Sequence, residues 1–247
     1  MRRRELISIL KAFSLEDVLI FEEKYDEQYK AIKHLAFFQE NPDLTNIVVL
    51  LNALVSYQLN CFGEDYWWEF SNYFSRVKIS SPIEDMISFL KRSSCNKRLL
   101  DVKISKLKGS RIIVETIRNN TRKYAEDLLT LWRIIYTSLK MKREAKTVVF
   151  SIKMFNYSTR ITFGKRFIIP FEIPIPLDSR ILKITYSLGV KGNEIEFWHN
   201  ISKEVGIPPL HLDSLLWVSF RFSKESESIN DERVSKLIHY IKRLLKS

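Results

Sequence analysis

Cysteine is nearly absent from the chain. Cys61 and Cys95 are the only two among 247 residues, with no Cys-x-x-Cys spacing, so an iron–sulfur cluster held by four thiolates is excluded and a disulfide framework is disfavoured. The expectation is an interior that is reducing or indifferent to redox state. Histidine is almost as scarce: His34, His199, His211 and His239 are scattered without the spacing of a zinc site, and neither a metal nor an organic cofactor is expected. Long apolar runs are missing too. Asn52 interrupts IVVLLNALV and Glu172 interrupts FIIPFEIPIPL, so no stretch approaches the roughly 18 residues that a membrane span needs. The opening MRRRELISILKAFS has no signal-peptide cleavage region, and an intracellular place, in cytoplasm or nucleoid, is the expectation. No internal repeat, heptad seam or long disordered linker is visible.

Positive charge is what the chain has in excess. Forty Lys and Arg against 29 Asp and Glu give a formal charge of +11, which favours a polyanionic partner, nucleic acid first. The basic residues gather in MRRRE, in the stretch from Lys91 to Arg111, in KMKREAK from Lys140 to Lys146, and in the terminal KLIHYIKRLLK. Any one cluster also reads as a solvated lysine-rich surface. The total is harder to dismiss.

Apolar residues recur mostly every three or four positions, the mark of helices with one buried face. Leu15 to Ala36 follows this pattern. Pro42 and Asp43 open a helix expected to be buried on most sides, Gly63 ends that segment, and EDYWWEFSNYF is the next helix. Ser80 caps and Pro82 begins another. An amphipathic run from Asn96 to Asn119 is interrupted at Gly109, a second spans Lys123 to Leu139, and Lys142 to Phe155 is a helix with Lys146 beside its apolar stripe. Dense prolines in RITFGKRFIIPFEIPIPLD end helicity there, leaving extended chain with at most a small hairpin near 160–170. Asp178 is a natural N-cap for the helix that follows. Helices at 193–204 and 210–220 come next, then the polar connector SKESES and a last helix at about 229–245. The fold class is all-α, at least ten short-to-medium helices in one compact unit over 1–247, with approximate lobes 1–75 plus 190–247, and 76–189.

Lys146 and Asp178 carry the chemical reading. Breaking an N-glycosidic bond leaves positive charge on C1′ and the ring oxygen of the sugar; a carboxylate stabilises that charge and an amine can take C1′ as a covalent adduct. The amine must be neutral when it attacks. A partly buried Lys146 stem and the neighbouring Lys140, Lys142 and Arg143 would favour that. On composition alone, Lys146 reads first as a surface lysine and Asp178 as a structural cap.

MKREAKTVVFSIKMF followed by PFEIPIPLDSR, preceded by LNALVSYQLNCFGEDYWWEF and followed by HLDSLLW, resembles the archaeal 8-oxoguanine DNA glycosylase/AP lyase (AGOG) family of the helix-hairpin-helix superfamily. The likeness spans roughly residues 15 to 225. It implies two helical lobes flanking an active-site cleft, a DNA partner carrying 8-oxoguanine or abasic sites, no membrane and no obligate protein partner. It matches Lys146 to the Schiff-base lysine and Asp178 to the essential aspartate. Gln28, Asp213 and Trp217 match base-binding positions, Trp67 is the candidate second aromatic wall, with Trp68 beside it unresolved, and Pro174 or Pro176 lines the same pocket. A departure from the wider superfamily is the replacement of its Gly-x-Gly hairpin by Lys140-Met141-Lys142-Arg143-Glu144, with Lys140, Lys142 and Arg143 as candidates for the DNA backbone.

The resemblance implies excision of 8-oxoguanine through a lysine Schiff base and β-elimination. Two other classes compete. A non-enzymatic helical nucleic-acid-binding protein needs only the charge and aromatic surface, and a metal-dependent nuclease would use Glu64, Asp65 or Glu69.

Overall fold

The computed structural model describes residues 2–224 and 229–246, and no β-strand occurs among them. The helices are α1 (Arg2–Leu10), α2 (Leu15–Tyr25), α3 (Glu27–Phe37), α4 (Pro42–Val55), α5 (Gly63–Phe74), α6 (Pro82–Arg92), α7 (Leu100–Gly109), α8 (Arg111–Ile117), α9 (Thr121–Glu126), α10 (Leu128–Ser138), α11 (Lys146–Phe163), α12 (Ser179–Ser187), α13 (Glu194–Val205), α14 (Pro209–Phe222) and α15 (Glu232–Leu244). Two compact units contain them: unit 1 is Met1–Asp26 with Pro170–Ser247, and unit 2 is Glu27–Ile169. Within unit 2, α3, α4 and α5 pack with α11 and its neighbours.

Local chemistry sets most helix starts. Ser14 forms a reciprocal capping box with Asp17 at α2, Asn41 accepts from the Leu44 N–H ahead of Pro42 at α4, and Asp127 accepts from the Thr130 N–H at α10. Each satisfies a backbone donor that the helix itself leaves open. Ser80 does not cap α6. Ser81 occupies the N-cap without a side-chain bond, and the Asp85 carboxylate reaches back to accept from the N–H groups of Ser80 and Ser81 at 2.9 and 2.8 Å. Gly63 begins α5 rather than ending α4, which stops at Val55.

The expected helix from Lys142 to Phe155 lies instead at Lys146–Phe163. Residues 142–145 form a turn, and Arg160 to Phe163 continue the helix until Gly164 adopts φ +60°, the left-handed stop that glycine takes without a Cβ clash. The hairpin considered near 160–170 does not form: residues 165–178 carry no regular structure apart from a turn at Phe171 and Glu172. The run from Lys123 to Leu139 is broken at Asp127 into α9 and α10. Residues 225–228 of the polar connector lie outside the described residues.

Unit 2 is built on α4 and α11, which pack against each other. All residues of α4 from Thr45 to Val55 are buried. The Asn46 amide within it is paired at both ends: Nδ2 donates to Thr121 Oγ1 at 3.0 Å, while Oδ1 accepts from Ser158 and Thr162 at 2.6 and 3.1 Å. Burying a polar side chain without a partner is costly, so this pairing is what lets a polar residue sit inside the helix pair. Unit 1 buries Leu6, Leu10, Val18, Ile181, Ile184, Trp198, Leu212 and Leu216 among others in one core, with α14 packed on α2, α12, α13 and α15.

Cys61 and Cys95 are joined by a disulfide, with an S–S distance of 2.06 Å. This corrects the reading that disfavoured a disulfide. Sequence spacing of 34 residues gives no sign that the loop after α4 and the loop after α6 meet. Among the described residues no helix is long and apolar enough to cross a membrane.

Candidate active site

In unit 2 the helix–turn–helix of α10, residues 139–145 and α11 places Lys146. Lys140 holds φ +50°, its N–H donates to Thr137 O at 3.1 Å and the Met141 N–H donates to Tyr136 O at 2.9 Å. These are the two bonds of a Schellman closure, here with a lysine in the left-handed position that glycine usually takes. The turn continues with Ala145 N–H donating to Lys142 O at 3.0 Å, and the Trp132 indole N–H donates to Arg143 O at 2.9 Å. Lys140, Lys142 and Arg143 are all exposed, and Arg143 Nε pairs with Glu144 Oε1 at 2.5 Å.

Lys146 is the first residue of α11 and is exposed. The helix starts four residues later than the expected Lys142. Phe150, four residues on, shares its helix face. Trp67 is buried in α5 and packs edge-on against Phe150 and Phe70, with ring centroids 6.1 and 5.5 Å apart. Trp68 points elsewhere: its N–H donates to Glu27 Oε2 at 3.0 Å and its ring lies 5.7 Å from that of His34. Gln28 is buried in α3, which packs on both α5 and α11.

Composition concealed a buried cationic group beside this helix start. Lys103 is fully buried and its ammonium donates to Asn96 Oδ1; Lys106 donates to Leu54 O at 3.2 Å and lies 3.4 Å from Thr147 Oγ1. Both ammoniums sit over the Tyr57 ring, at 4.8 and 4.9 Å from its centroid. Burial pushes Lys103 down to about 8 and lowers Lys106 as well. The signal for Lys103 was its register, since Lys103, Leu107 and Ser110 recur at helical spacing on the buried side.

Glu69 fixes the neighbouring loop. Its carboxylate accepts from Ser93 Oγ, from the N–H and Oγ of Ser94, and from the Cys95 N–H. Burial pushes its pKa up, but those hydrogen bonds to the ionised form outweigh burial and hold it below the usual carboxylate range. Among the described residues no group of three or more His, Cys, Asp or Glu is arranged to hold a metal ion.

In unit 1 Asp178 is the N-cap of α12, as its sequence context suggested. Oδ1 accepts from the Arg180 and Ile181 N–H groups, both at 2.9 Å. Oδ2 accepts from the Trp217 indole N–H at 2.8 Å. The Arg180 guanidinium lies 3.9 Å from the Trp217 ring centroid. Asp213 and Trp217 are both buried on α14, one turn apart, and Pro174 and Pro176 are buried in the segment leading to Asp178. Unit 1 therefore brings Asp178 and Trp217 into direct contact, while unit 2 gathers Gln28, Trp67 and Lys146 on three helices that pack together.

The AGOG family model, described as N-glycosylase/DNA lyase, matches residues 7–246. The N-glycosylase/DNA lyase of Methanopyrus kandleri is 36% identical over 238 residues, covering 96% of this chain and 98% of that protein. The protein of the same name from Thermococcus kodakarensis is 39% identical over 216 residues, covering 86% and 82%. Among solved structures, the 8-oxoguanine DNA glycosylase Pa-AGOG from Pyrobaculum aerophilum, complexed with 8-oxoguanosine, superposes with a TM-score of 0.83 at 27% identity over 96% of both chains.

Proposed function

The chain belongs to the N-glycosylase/DNA lyase family and is a DNA glycosylase with lyase activity, and from that premise we propose that it excises 8-oxoguanine through a Schiff base on Lys146 and then cuts the strand by β-elimination. The observation that carries this reading is the exposed Lys146 at the head of α11, with Phe150 one turn along the same helix packed edge-on against Trp67 of α5.

The lesion is turned out of the stack and held by aromatic surfaces and by contacts to its edge. Gln28, Trp67, Pro174, Asp213 and Trp217 serve this purpose. 8-Oxoguanine carries a hydrogen at N7 where guanine has a lone pair, so an acceptor aimed at N7 favours the lesion and repels guanine. As the N-glycosidic bond lengthens, Asp178 stabilises the positive charge on C1′ and the ring oxygen. The Lys146 amine forms a bond to C1′ and the base leaves with the electrons of the broken bond. Opening of the C1′–O4′ bond gives the imine, which acidifies the hydrogens on C2′; loss of one expels the 3′ phosphate. Lys140, Lys142 and Arg143 contribute phosphate contacts that position the strand.

Borohydride reduction in the presence of DNA containing one 8-oxoguanine tests the mechanism. The unsubstituted protein is expected to be trapped on the strand, and Lys146→Gln to lose trapping and nicking while still binding. Robust base release by the unsubstituted protein with no trapped adduct would reject the Schiff base. A panel of oligonucleotides with uracil, alkylated purines and oxidised pyrimidines tests the substrate, and preferential release of any of these would reject 8-oxoguanine.

A further inference from the structure

Three donors converge on the Asp178 carboxylate: two backbone N–H groups of α12 on Oδ1 and the Trp217 indole N–H on Oδ2. The backbone pair alone anchors one oxygen and leaves the carboxylate free to turn about it. The indole bond fixes the second oxygen and with it the plane of the group. Trp217 is itself held: it belongs to the buried core of α14, and the Arg180 guanidinium covers its ring at 3.9 Å. Arg180 is also one of the two residues whose backbone caps onto Asp178, so a single local structure sets both the carboxylate and the indole.

We propose that Trp217 is a positioning residue for Asp178, holding the carboxylate by its N–H so that the charge is aimed and does not reorganise while the sugar becomes cationic. This rests on the role given to Asp178 above and assigns Trp217 a second task beside its place in the base pocket. A preorganised charge acts without the cost of reorientation during the reaction. The step that needs it is base release. Nicking of a pre-formed abasic site passes through the ring-opened aldehyde and needs no cationic sugar.

The test compares single-turnover base release from 8-oxoguanine DNA with nicking of abasic DNA. Trp217→Phe keeps an aromatic ring and removes the N–H, and benzothienylalanine placed at position 217 keeps the full bicyclic shape with sulfur in place of N–H. Both are expected to lower the ratio of release to nicking by roughly tenfold or more, less than the hundredfold or greater cost of removing a directly acting donor. In an Asp178→Asn background the Phe substitution is expected to add almost nothing, because a residue acting through Asp178 has nothing left to position. Unchanged saturating release with a weaker lesion affinity would make Trp217 a stacking wall and overturn the proposal, as would losses that multiply in the double variant. Retention of full release by the benzothienyl protein would overturn it even if the Phe variant were poorly folded. Absence of 8-oxoguanine release from the unsubstituted protein would instead strike the substrate reading on which this rests.

Discussion

The indole N–H of Trp132 in α10 donates to the carbonyl oxygen of Arg143 at 2.9 Å, tying the turn that precedes Lys146 back onto the helix that enters it. A hydrogen bond of this kind contributes about 0.5–1.5 kcal/mol to stability. Trp132→Phe keeps most of the ring packing, so denaturant unfolding is expected to report a loss of about that size. A larger effect falls on function, because the turn is three residues from the amine: borohydride trapping should slow more than global stability predicts. Trapping at the unsubstituted rate would show that the bond has no part in holding Lys146.

Lys140 occupies the left-handed C′ position of the α10 closure. A non-glycine residue there carries a backbone penalty of about 1 kcal/mol, so Lys140→Gly is expected to leave the fold at least as stable. The same change removes a candidate phosphate contact, and the slope of log binding constant against log salt should fall by about 1. Thermal unfolding and a salt titration on one duplex separate the two effects. An unaltered salt slope would remove Lys140 from the DNA-binding surface.

The Cys61–Cys95 bond closes a loop across 34 residues of separation. In the chain-entropy account a loop of that length contributes about 3–4 kcal/mol by restricting the unfolded chain. The double variant Cys61→Ser/Cys95→Ser, or the reduced protein, should therefore melt well below the oxidised protein. Coincident melting curves with and without dithiothreitol would show that the bond gives no net stabilisation.

Glu69 supplies a pH dependence with a definite sign. Its folded pKa lies below its unfolded value because the 93–95 loop donates to the ionised form. The stabilisation is then complete above the unfolded value of about 4.3 and disappears as pH falls through the lower folded value. Urea unfolding at several pH values should show the advantage of the native protein over Glu69→Gln at neutral pH, shrinking in acid. An advantage that grew in acid would invert the assignment.

How much of this was legible depends on the range of the interaction that decides each feature. Asp178 capping α12 is a contact over two and three residues, and the start of α4 at Pro42 is as local, with Asn41 accepting from Leu44. The all-helical class and the buried character of α4 followed from apolar spacing. The start of α11 did not, because the turn ahead of it is closed by a lysine in the left-handed region, where sequence leads one to look for glycine. The length of α11 was also underestimated, since Tyr157, Ser158 and Thr159 are buried by partners such as Asn46, 112 positions from Ser158. The disulfide and the Trp217 bond to Asp178 are pairings across 34 and 39 positions. Sequence supplied the participants, and only the fold could join them.

The amide of Asn46 sets the azimuth of α11. Its oxygen accepts from two hydroxyls one turn apart on that helix, Ser158 and Thr162, while its nitrogen donates to Thr121 of α9, so α11 cannot roll about its axis without stranding polar atoms in the interior. Lys146 stands twelve residues away along the same rod, about 18 Å at the ordinary helical rise. The compass bearing of its amine is thus governed from the far end of the helix, and a swap of Asn46 for an apolar residue would disturb a group it never touches.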